Sequence, residues 1–517
     1  MTVRDLLTVL EHAGLLVEDP PRATDTAWLD GHLADIAYDS RKVGPDGLFA
    51  ALRGERADGR AFAAAAVAQG ARAVLADAPA PEGLEASWIR VRDGRRALAH
   101  ASDAFFGHPS GDLDVIGVTG TNGKTTTAYL IREMFEAAGR TCGLIGTVQY
   151  VVGRRGHDAA RTTPEASDLQ RMLRDMRQEG SVACVMEVSS HALALHRVDG
   201  TSFAAGVFTN LTRDHLDFHG DMDAYFAAKR RLFEMLPASA PAVINIDDRR
   251  GDVLARDCDR RITFAIDHPA DVTPGPVSLS LQGLHFEART PAGPLQIRSR
   301  LLGRFNLYNL LAAVATGVAL DLPSDAIEQG LASLGSVPGR LEVVSTADDD
   351  VTVIVDYAHT DDALRNLLEA VRALSQSFVV TVFGCGGDRD TTKRPLMGAV
   401  AAQLSDRVVL TSDNPRSEEP ERIIDDIEHG LLPSAERQRA GEREGWWPTG
   451  RRAVYTRVAD RHAAIDAAIA GSAPGDIVVI AGKGHEKYQD IGGRVVPFDD
   501  VTVARSALSA RRQAKAS

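Results

Sequence analysis

The chain has 517 residues, 44% of them hydrophobic and 25% charged. That is the balance of a folded protein rather than a disordered one, and the length allows about three domains. The formal net charge of −13, from 71 acidic and 58 basic residues, argues against general binding to nucleic acid or to an anionic membrane surface. Four scattered cysteines (Cys142, Cys184, Cys258, Cys385) with no C-x-x-C pair argue against a structural zinc site or a disulfide framework, and point to reduced thiols in the cytoplasm.

In chain order, Met1–Pro20 interleaves apolar and charged residues as an amphipathic surface helix does, without the composition of an export signal. Residues 1–110 then read as a small mixed domain, with strands at Ile36–Asp39, Gly47–Leu52 and Ala73–Ala76 and a helix over Ala61–Gln69 closed by Gly70. Loop residues cluster at Phe106–Asp112. A strand at Val115–Val118 follows, then a helix from Lys124 to about Ala138, and further apolar runs at Ala183–Val188, Ala205–Phe208 and Val243–Asn245. This alternation predicts a mostly parallel, doubly wound sheet. A second break lies at Val337–Gly339. Beyond it Val351–Val355, Phe378–Phe383, Arg407–Leu410 and Asp476–Ile480 predict another α/β domain, interrupted by a polar, Trp-containing insertion at Pro433–Gly450. The expected architecture is α/β in three domains: a small mixed N-terminal domain (1–111), a central P-loop ATPase-like doubly wound sheet (112–337) and a C-terminal Rossmann-like domain (338–517). No stretch supplies the roughly 20 apolar residues of a membrane span.

The sharpest chemical signal is T-G-T-N-G-K-T at 119–125, between an apolar strand and a helix. Backbone N–H groups from Gly120, Thr121, Asn122 and Gly123 through Thr126 would face phosphate at a helix N-terminus, Lys124 would add a full charge, and Thr125 would offer a hydroxyl to Mg²⁺. Val118 stands where the usual P-loop has its first glycine. Glu187, ending an apolar run, suits the acidic partner of such a metal site. Asp214, His215, Asp217 and His219 crowd a later loop, from which one acid and one imidazole would engage the magnesium ion. Lysine is scarce, with seven among 58 basic residues. Lys229 lies in an amphipathic helix, where its neighbours read equally as those of an exposed lysine.

These segments, with E-V-S-S-H-A-L (187–193), T-N-L-T-R-D-H-L-D-F-H-G (209–220), Y-F-A-A-K-R-R-L-F (225–233), P-G-R-L-E (338–342), D-Y-A-H-T (356–360), G-C-G-G-D-R-D (384–390), D-N-P-R (413–416) and G-K-G-H-E (482–486), resemble the Mur ligase family in the family's order, from about residue 36 to 500. The resemblance implies ATP-dependent addition of diaminopimelate to UDP-N-acetylmuramoyl-L-alanyl-D-glutamate, with ATP as co-substrate, Mg²⁺ as cofactor, and a monomeric cytoplasmic enzyme. It implies that Lys124, Glu187, His215 and Lys229 are catalytic, Lys229 carbamylated and sharing metal with Thr125, Glu187 and His215. Asn309, Arg340 and Asp356 would join the loop around ATP. Ser40, Glu55, Arg56, Ala57, Thr162, Thr163, Ser189 and Arg197 would meet the UDP-substrate. Arg389, Asp413, Asn414, Pro415, Arg416, Gly482 and Glu486 would hold diaminopimelate, Arg416 presenting a fork of donors to its distal carboxylate. Leu195 stands where some members carry a glutamine, which removes one expected hydrogen bond.

Overall fold

The computed structural model describes residues 1–17, 24–54, 57–84, 86–280, 282–432, 434–437 and 453–516. Near the N-terminus the strands Ile36–Ala37, Leu48–Ala50, Ala73–Ala76 and Trp88–Arg90 form a four-stranded parallel sheet in sequence order. The first helix is Val3–His12, started by a capping box in which Thr2 and Asp5 satisfy each other's backbone N–H. It buries Val3, Leu6 and Leu10. Instead of one helix over Ala61–Gln69, there is a 3₁₀ turn at Gly59–Phe62 followed by the helix Ala63–Ala68. The Asp58 carboxylate accepts from Arg60 N two residues on, which winds the start tightly.

The central sheet has eight strands in the order Arg261–Phe264, Ala242–Asn245, Ala205–Phe208, Asp114–Thr119, Ala183–Glu187, Cys142–Ile145, Gln149–Val152, Arg155–Asp158. The first six are mutually parallel and the last two return antiparallel. Strand Asp114–Thr119 is buried beyond its first residue because helices cover both faces: Lys124–Ala137 and Arg304–Ala319 on one, Met222–Glu234 and Ala166–Gln178 on the other. Its neighbours are Ala183–Glu187 and Ala205–Phe208, so the chain reverses its winding direction beside it. The loops leaving these three carboxyl ends therefore meet in one crevice, where open α/β sheets bind ligands.

A small antiparallel sheet over 273–299 was not anticipated from the sequence. Its strands Gly283–Arg289 and Leu295–Ser299 alternate buried and exposed residues, and Leu284, Phe286, Leu295 and Ile297 join the core beneath helix Arg304–Ala319.

The last large sheet runs Glu342–Val343, Thr352–Asp356, Ile477–Ala481, Val379–Phe383, Arg407–Leu410, Ala453–Arg457, Ala435–Arg437, parallel except for its first strand. Of the sequence insertion Pro433–Gly450, only 434–437 fall within the described residues, and they include the edge strand Ala435–Arg437. A hairpin, Tyr488–Ile491 with Arg494–Pro497, follows strand Ile477–Ala481.

Candidate active site

Helix Lys124–Ala137 starts from Gly123 in a left-handed conformation (φ 86°), and Gly120 at φ 149° brings the loop against Thr209, whose hydroxyl a Cβ would strike. The loop is braced from the neighbouring strand end. Thr121 N donates to Asn210 O, Asn122 N donates to Asn210 Oδ1 (both 2.9 Å), and Thr209 Oγ1 donates to Asn122 O at 2.6 Å. Two lysines converge on one carbonyl: Lys124 Nζ lies 2.9 Å and Lys229 Nζ 2.7 Å from Gly120 O.

Lys229 is only 1% exposed, its amine 4.5 Å from the Tyr225 ring centroid. An exposed helix lysine is therefore the wrong description: the helix turns this side chain under the phosphate loop. Burial, and secondarily Lys124, hold its pKa well below the ordinary lysine value. Burial lowers Lys124 as well, opposed by Glu187 and Asp214. His215 is left-handed (φ 55°), with its ring against His191 (4.8 Å) and its Nε2 3.4 Å from Asp214 Oδ2. Desolvation pushes it down to about 4, so the imidazole is neutral at physiological pH.

Glu187, 1% exposed, accepts three hydrogen bonds: from Thr125 Oγ1 (3.0 Å), Thr147 Oγ1 (3.0 Å) and Thr147 N (2.7 Å). Thr147 carried no sequence signal, because its role depends on strand Cys142–Ile145 lying beside strand Ala183–Glu187. Among the described residues no three His, Cys, Asp or Glu side chains form a ready metal cage. The hydroxyl and carboxylate of Thr125 and Glu187, set beside a phosphate loop, nevertheless fit Mg²⁺, which takes hard oxygen donors and few of them from protein.

Thr126 is buried in the first helical turn. Asn309, also buried, faces Gly123, accepts from Thr127 Oγ1 at 3.4 Å and donates to Asn306 Oδ1 at 2.9 Å. From the last sheet, Asp356 takes hydrogen bonds from Leu341 N (2.6 Å) and Ala358 N (2.7 Å), which fixes the turn carrying Arg340. Arg340 in turn donates to Thr125 Oγ1 at 3.3 Å and stacks on Tyr357. Asn122 Nδ2 donates to Asp362 at 3.1 Å. Tyr357 and His359, present in the D-Y-A-H-T motif but given no role there, line this junction with Asp362, as does His485, whose ring lies 5.0 Å from that of Tyr357.

On the other side of Glu187, Thr163 Oγ1 donates to Glu187 O at 2.8 Å and lies 3.3 Å from Ser189 Oγ, and Thr162 Oγ1 lies 3.0 Å from Thr147 Oγ1. Ser189 caps helix Ser190–Ala194. Arg197 bonds Thr163 O at 3.3 Å and pairs with Glu165 at 3.0 Å. Ser40 sits in the 3₁₀ turn Ser40–Lys42, and Ala57 O accepts from Gly54 N at 2.9 Å. Glu55 and Arg56 lie outside the described residues.

The remaining group assembles at three adjacent strand ends, Phe383, Leu410 and Ala481. Asp413 and Asn414 are buried, Pro415 follows, and Arg416 (φ 52°) donates to Gly387 O while its N donates to Asp490 O at 2.9 Å. Glu486 accepts from Asn414 Nδ2 at 2.9 Å. A Cβ on Gly482 would come to 2.7 Å from Asp413 Oδ2. Arg389 belongs to the same loop and is exposed, its charge felt by Asp388.

A phosphate loop, an acid on the adjacent strand and a third region reaching over both form the framework of a nucleotide-dependent ligase. Three family models match in succession: Mur ligase family, catalytic domain over residues 32–106; Mur ligase middle domain over 118–317; and Mur ligase, glutamate ligase domain over 339–484. The chain belongs to the Mur ligase family. Among its relatives, the UDP-N-acetylmuramoyl-L-alanyl-D-glutamate–2,6-diaminopimelate ligase of Solibacter usitatus is 47% identical, covering 94% of this chain and 96% of its own. The protein of the same name from Geobacter metallireducens is 45% identical over 96% and 99%. A solved structure bearing that name is 33% identical, covers 99% of both chains and has a TM-score of 0.67. Among the described residues no helix is long and apolar enough to cross a membrane.

Proposed function

We infer that this chain joins diaminopimelate to UDP-N-acetylmuramoyl-L-alanyl-D-glutamate, consuming ATP, in peptidoglycan precursor synthesis. The names of relatives at 41–47% identity over most of the chain support the reaction. The observation that carries the chemistry is the convergence of Lys124, Lys229, Thr125 and Glu187 on the phosphate loop, with Arg340 arriving from the last sheet.

In this reading residues 1–111 receive the UDP-sugar, 112–337 ATP and 338–517 the amino acid. The D-glutamyl γ-carboxylate attacks the γ-phosphorus of ATP, releasing ADP and leaving an acyl phosphate. The amine of diaminopimelate then adds to the acyl carbon, loses its proton and expels inorganic phosphate, leaving an amide. Two anions must approach in the first step, and Lys124, Arg340 and the loop N–H groups lower that barrier by aiming positive charge at the transferring phosphoryl group. Thr125 and Glu187 would hold one Mg²⁺, and His215 with Lys229 a second; the ions, when bound, neutralise phosphate charge.

Burial lowers the Lys229 pKa and so favours the free amine, which takes up CO₂ as a carbamate, releasing a proton and presenting oxygens where an amine had been. Asn309 and Asp356 attend the nucleotide. Ser40, Glu55, Arg56, Ala57, Thr162, Thr163, Ser189 and Arg197 receive the sugar peptide. Arg416 holds the distal carboxylate of diaminopimelate, and Arg389, Asp413, Asn414, Pro415, Gly482 and Glu486 supply the rest of that pocket. One chain carries all three regions, which supports a monomer, and ATP use with unpaired thiols supports a cytoplasmic setting. Labelled oxygen in the glutamyl carboxylate should appear in the released phosphate, with diaminopimelate preferred over lysine and ornithine when they compete in one reaction. Product that forms while its label stays behind would contradict the acyl-phosphate route.

A further inference from the structure

Lys483 stands out among the few lysines because its side chain is 0% exposed. Gly482 (φ 117°) and Gly484 (φ 53°) flank it, a backbone path that turns the amine inward at the end of strand Ile477–Ala481. Its Nζ lies 3.0 Å from Asn414 Oδ1, 3.2 Å from Glu486 Oε2 and 3.4 Å from Asp413 Oδ1, with the Tyr488 ring 5.4 Å away. An ammonium has three N–H donors and no acceptor, and here each finds one oxygen.

Those contacts fix three neighbours at once. Asn414 Oδ1 also accepts from Asp490 N at 3.1 Å, so its amide cannot flip, and its Nδ2 must face Glu486 Oε2. Glu486 Oε2 thus takes two donors, while Oε1 takes none among the described residues. Asp413 gives Oδ1 to Lys483 and keeps Oδ2 against Gly482. Each carboxylate has one oxygen committed and one open.

We propose that Lys483 is a positioning residue for the incoming amino acid and sets its charge preference. This rests on the reading of Asp413–Arg416 and Glu486 as the amino-acid pocket. Lys483 and Arg416 offset Asp413 and Glu486, with the Asp490 carboxylate close by. A pocket presenting both cationic and anionic groups suits an end group bearing both an ammonium and a carboxylate. Lysine, whose distal end is only cationic, is a poorer match.

The test compares kcat and KM for diaminopimelate, lysine and ATP in the wild type and two variants. Lys483→Met leaves excess negative charge, so KM for diaminopimelate should rise about tenfold or more while KM for ATP holds, and relative use of lysine should increase. Glu486→Gln removes one negative charge and should move relative lysine use the other way. Ethylamine added to Lys483→Ala should restore part of the diaminopimelate turnover, which a merely structural role would not predict. Should the Lys483 variants fail to fold, the Glu486→Gln direction still decides the charge-balance claim.

Equal rises in KM for ATP and diaminopimelate, the same direction of preference in both variants, or no amine rescue in folded protein would overturn the proposal. Wild-type protein with no turnover of diaminopimelate would instead overturn the functional reading beneath it.

Discussion

At Lys229, a buried amine whose pKa is held down by burial lies 2.7 Å from a carbonyl beneath the phosphate loop. Arginine keeps a positive charge at every accessible pH and cannot form a carbamate. Lys229→Arg should therefore lower turnover at least about a hundredfold, as losing a metal-site group does. Activity measured at saturating ATP and Mg²⁺ checks this, and near-normal turnover would refute the carbamate role. Glu187 uses both oxygens as acceptors for three donors. Glu187→Gln turns one acceptor into a donor facing Thr125 and Thr147, so the Mg²⁺ concentration for half-maximal rate should rise about tenfold or more. Arg416→Ala removes a guanidinium fork, so it should weaken use of diaminopimelate far more than ATP binding. Substrate titrations separate the two, and equal loss with lysine would argue against distal-carboxylate recognition.

Elements position these groups through their ends. Arg461, near the start of helix Arg461–Ala470, and Asp500, at the start of helix Asp500–Ala516, form an ion pair at 2.7 Å with both side chains 0% exposed. Arg461 also donates to Ala481 O at 3.0 Å and Ser412 O at 3.4 Å, the carbonyls just before the Gly482 and Asp413 loops. It ties together the ends of strands Ile477–Ala481 and Arg407–Leu410, which lie on either side of strand Val379–Phe383. Asp500→Ala strands a buried guanidinium, which costs about 3–5 kcal/mol when one member of such a pair is lost. Urea denaturation followed by circular dichroism should show that loss in the transition of the C-terminal region. Replacing both members with apolar residues (Arg461→Met with Asp500→Leu) should recover much of it, since a buried pair and a well-packed apolar substitute are often of similar stability. If the double variant is as unstable as the single, packing around Arg461 outweighs its charge.

Across the molecule, the last sheet meets the phosphate loop through Asn122–Asp362 and Arg340–Thr125, with His485 beside Tyr357. His485 is pushed down to about 4, first by burial and then by Arg340, with His359 adding slightly and Tyr357 stacked on its ring. Its ordinary value is 6.5, so between pH 6.5 and 4 the undocked chain binds more protons than the docked one. The contribution to docking is complete above about pH 6.5 and is lost as pH falls toward 4. Solution scattering should report a larger radius of gyration at pH 5 than at pH 7.5, a change reduced in His485→Gln. A radius independent of pH would exclude this coupling.

Much of the local structure was written in short stretches of chain. Ala73–Ala76, Ala205–Phe208 and Arg407–Leu410 are strands with the limits their apolar runs imply, and the helix after Gly123 begins at Lys124. Strand runs and glycine turns depend on neighbouring residues only, so they can be read in order. The motifs likewise identify the family, and the residues they nominate cluster around the phosphate loop and the strand ends. Other features came only with the tertiary structure. The alternation over 283–299 became a separate antiparallel sheet by packing on a helix that follows it in the chain. Thr147 reached Glu187, 40 residues away, because the strand just before it, Cys142–Ile145, pairs with strand Ala183–Glu187. Lys229 reads as a solvent-facing lysine beside its sequence neighbours, yet it is buried against Gly120, 109 positions away, and Lys483 is buried against Asp413, 70 positions away. Sequence by itself determined which backbone conformations and which chemical groups were available. Burial and charge environment were decided only where distant segments pack, since desolvation and Coulomb energy depend on separation in space.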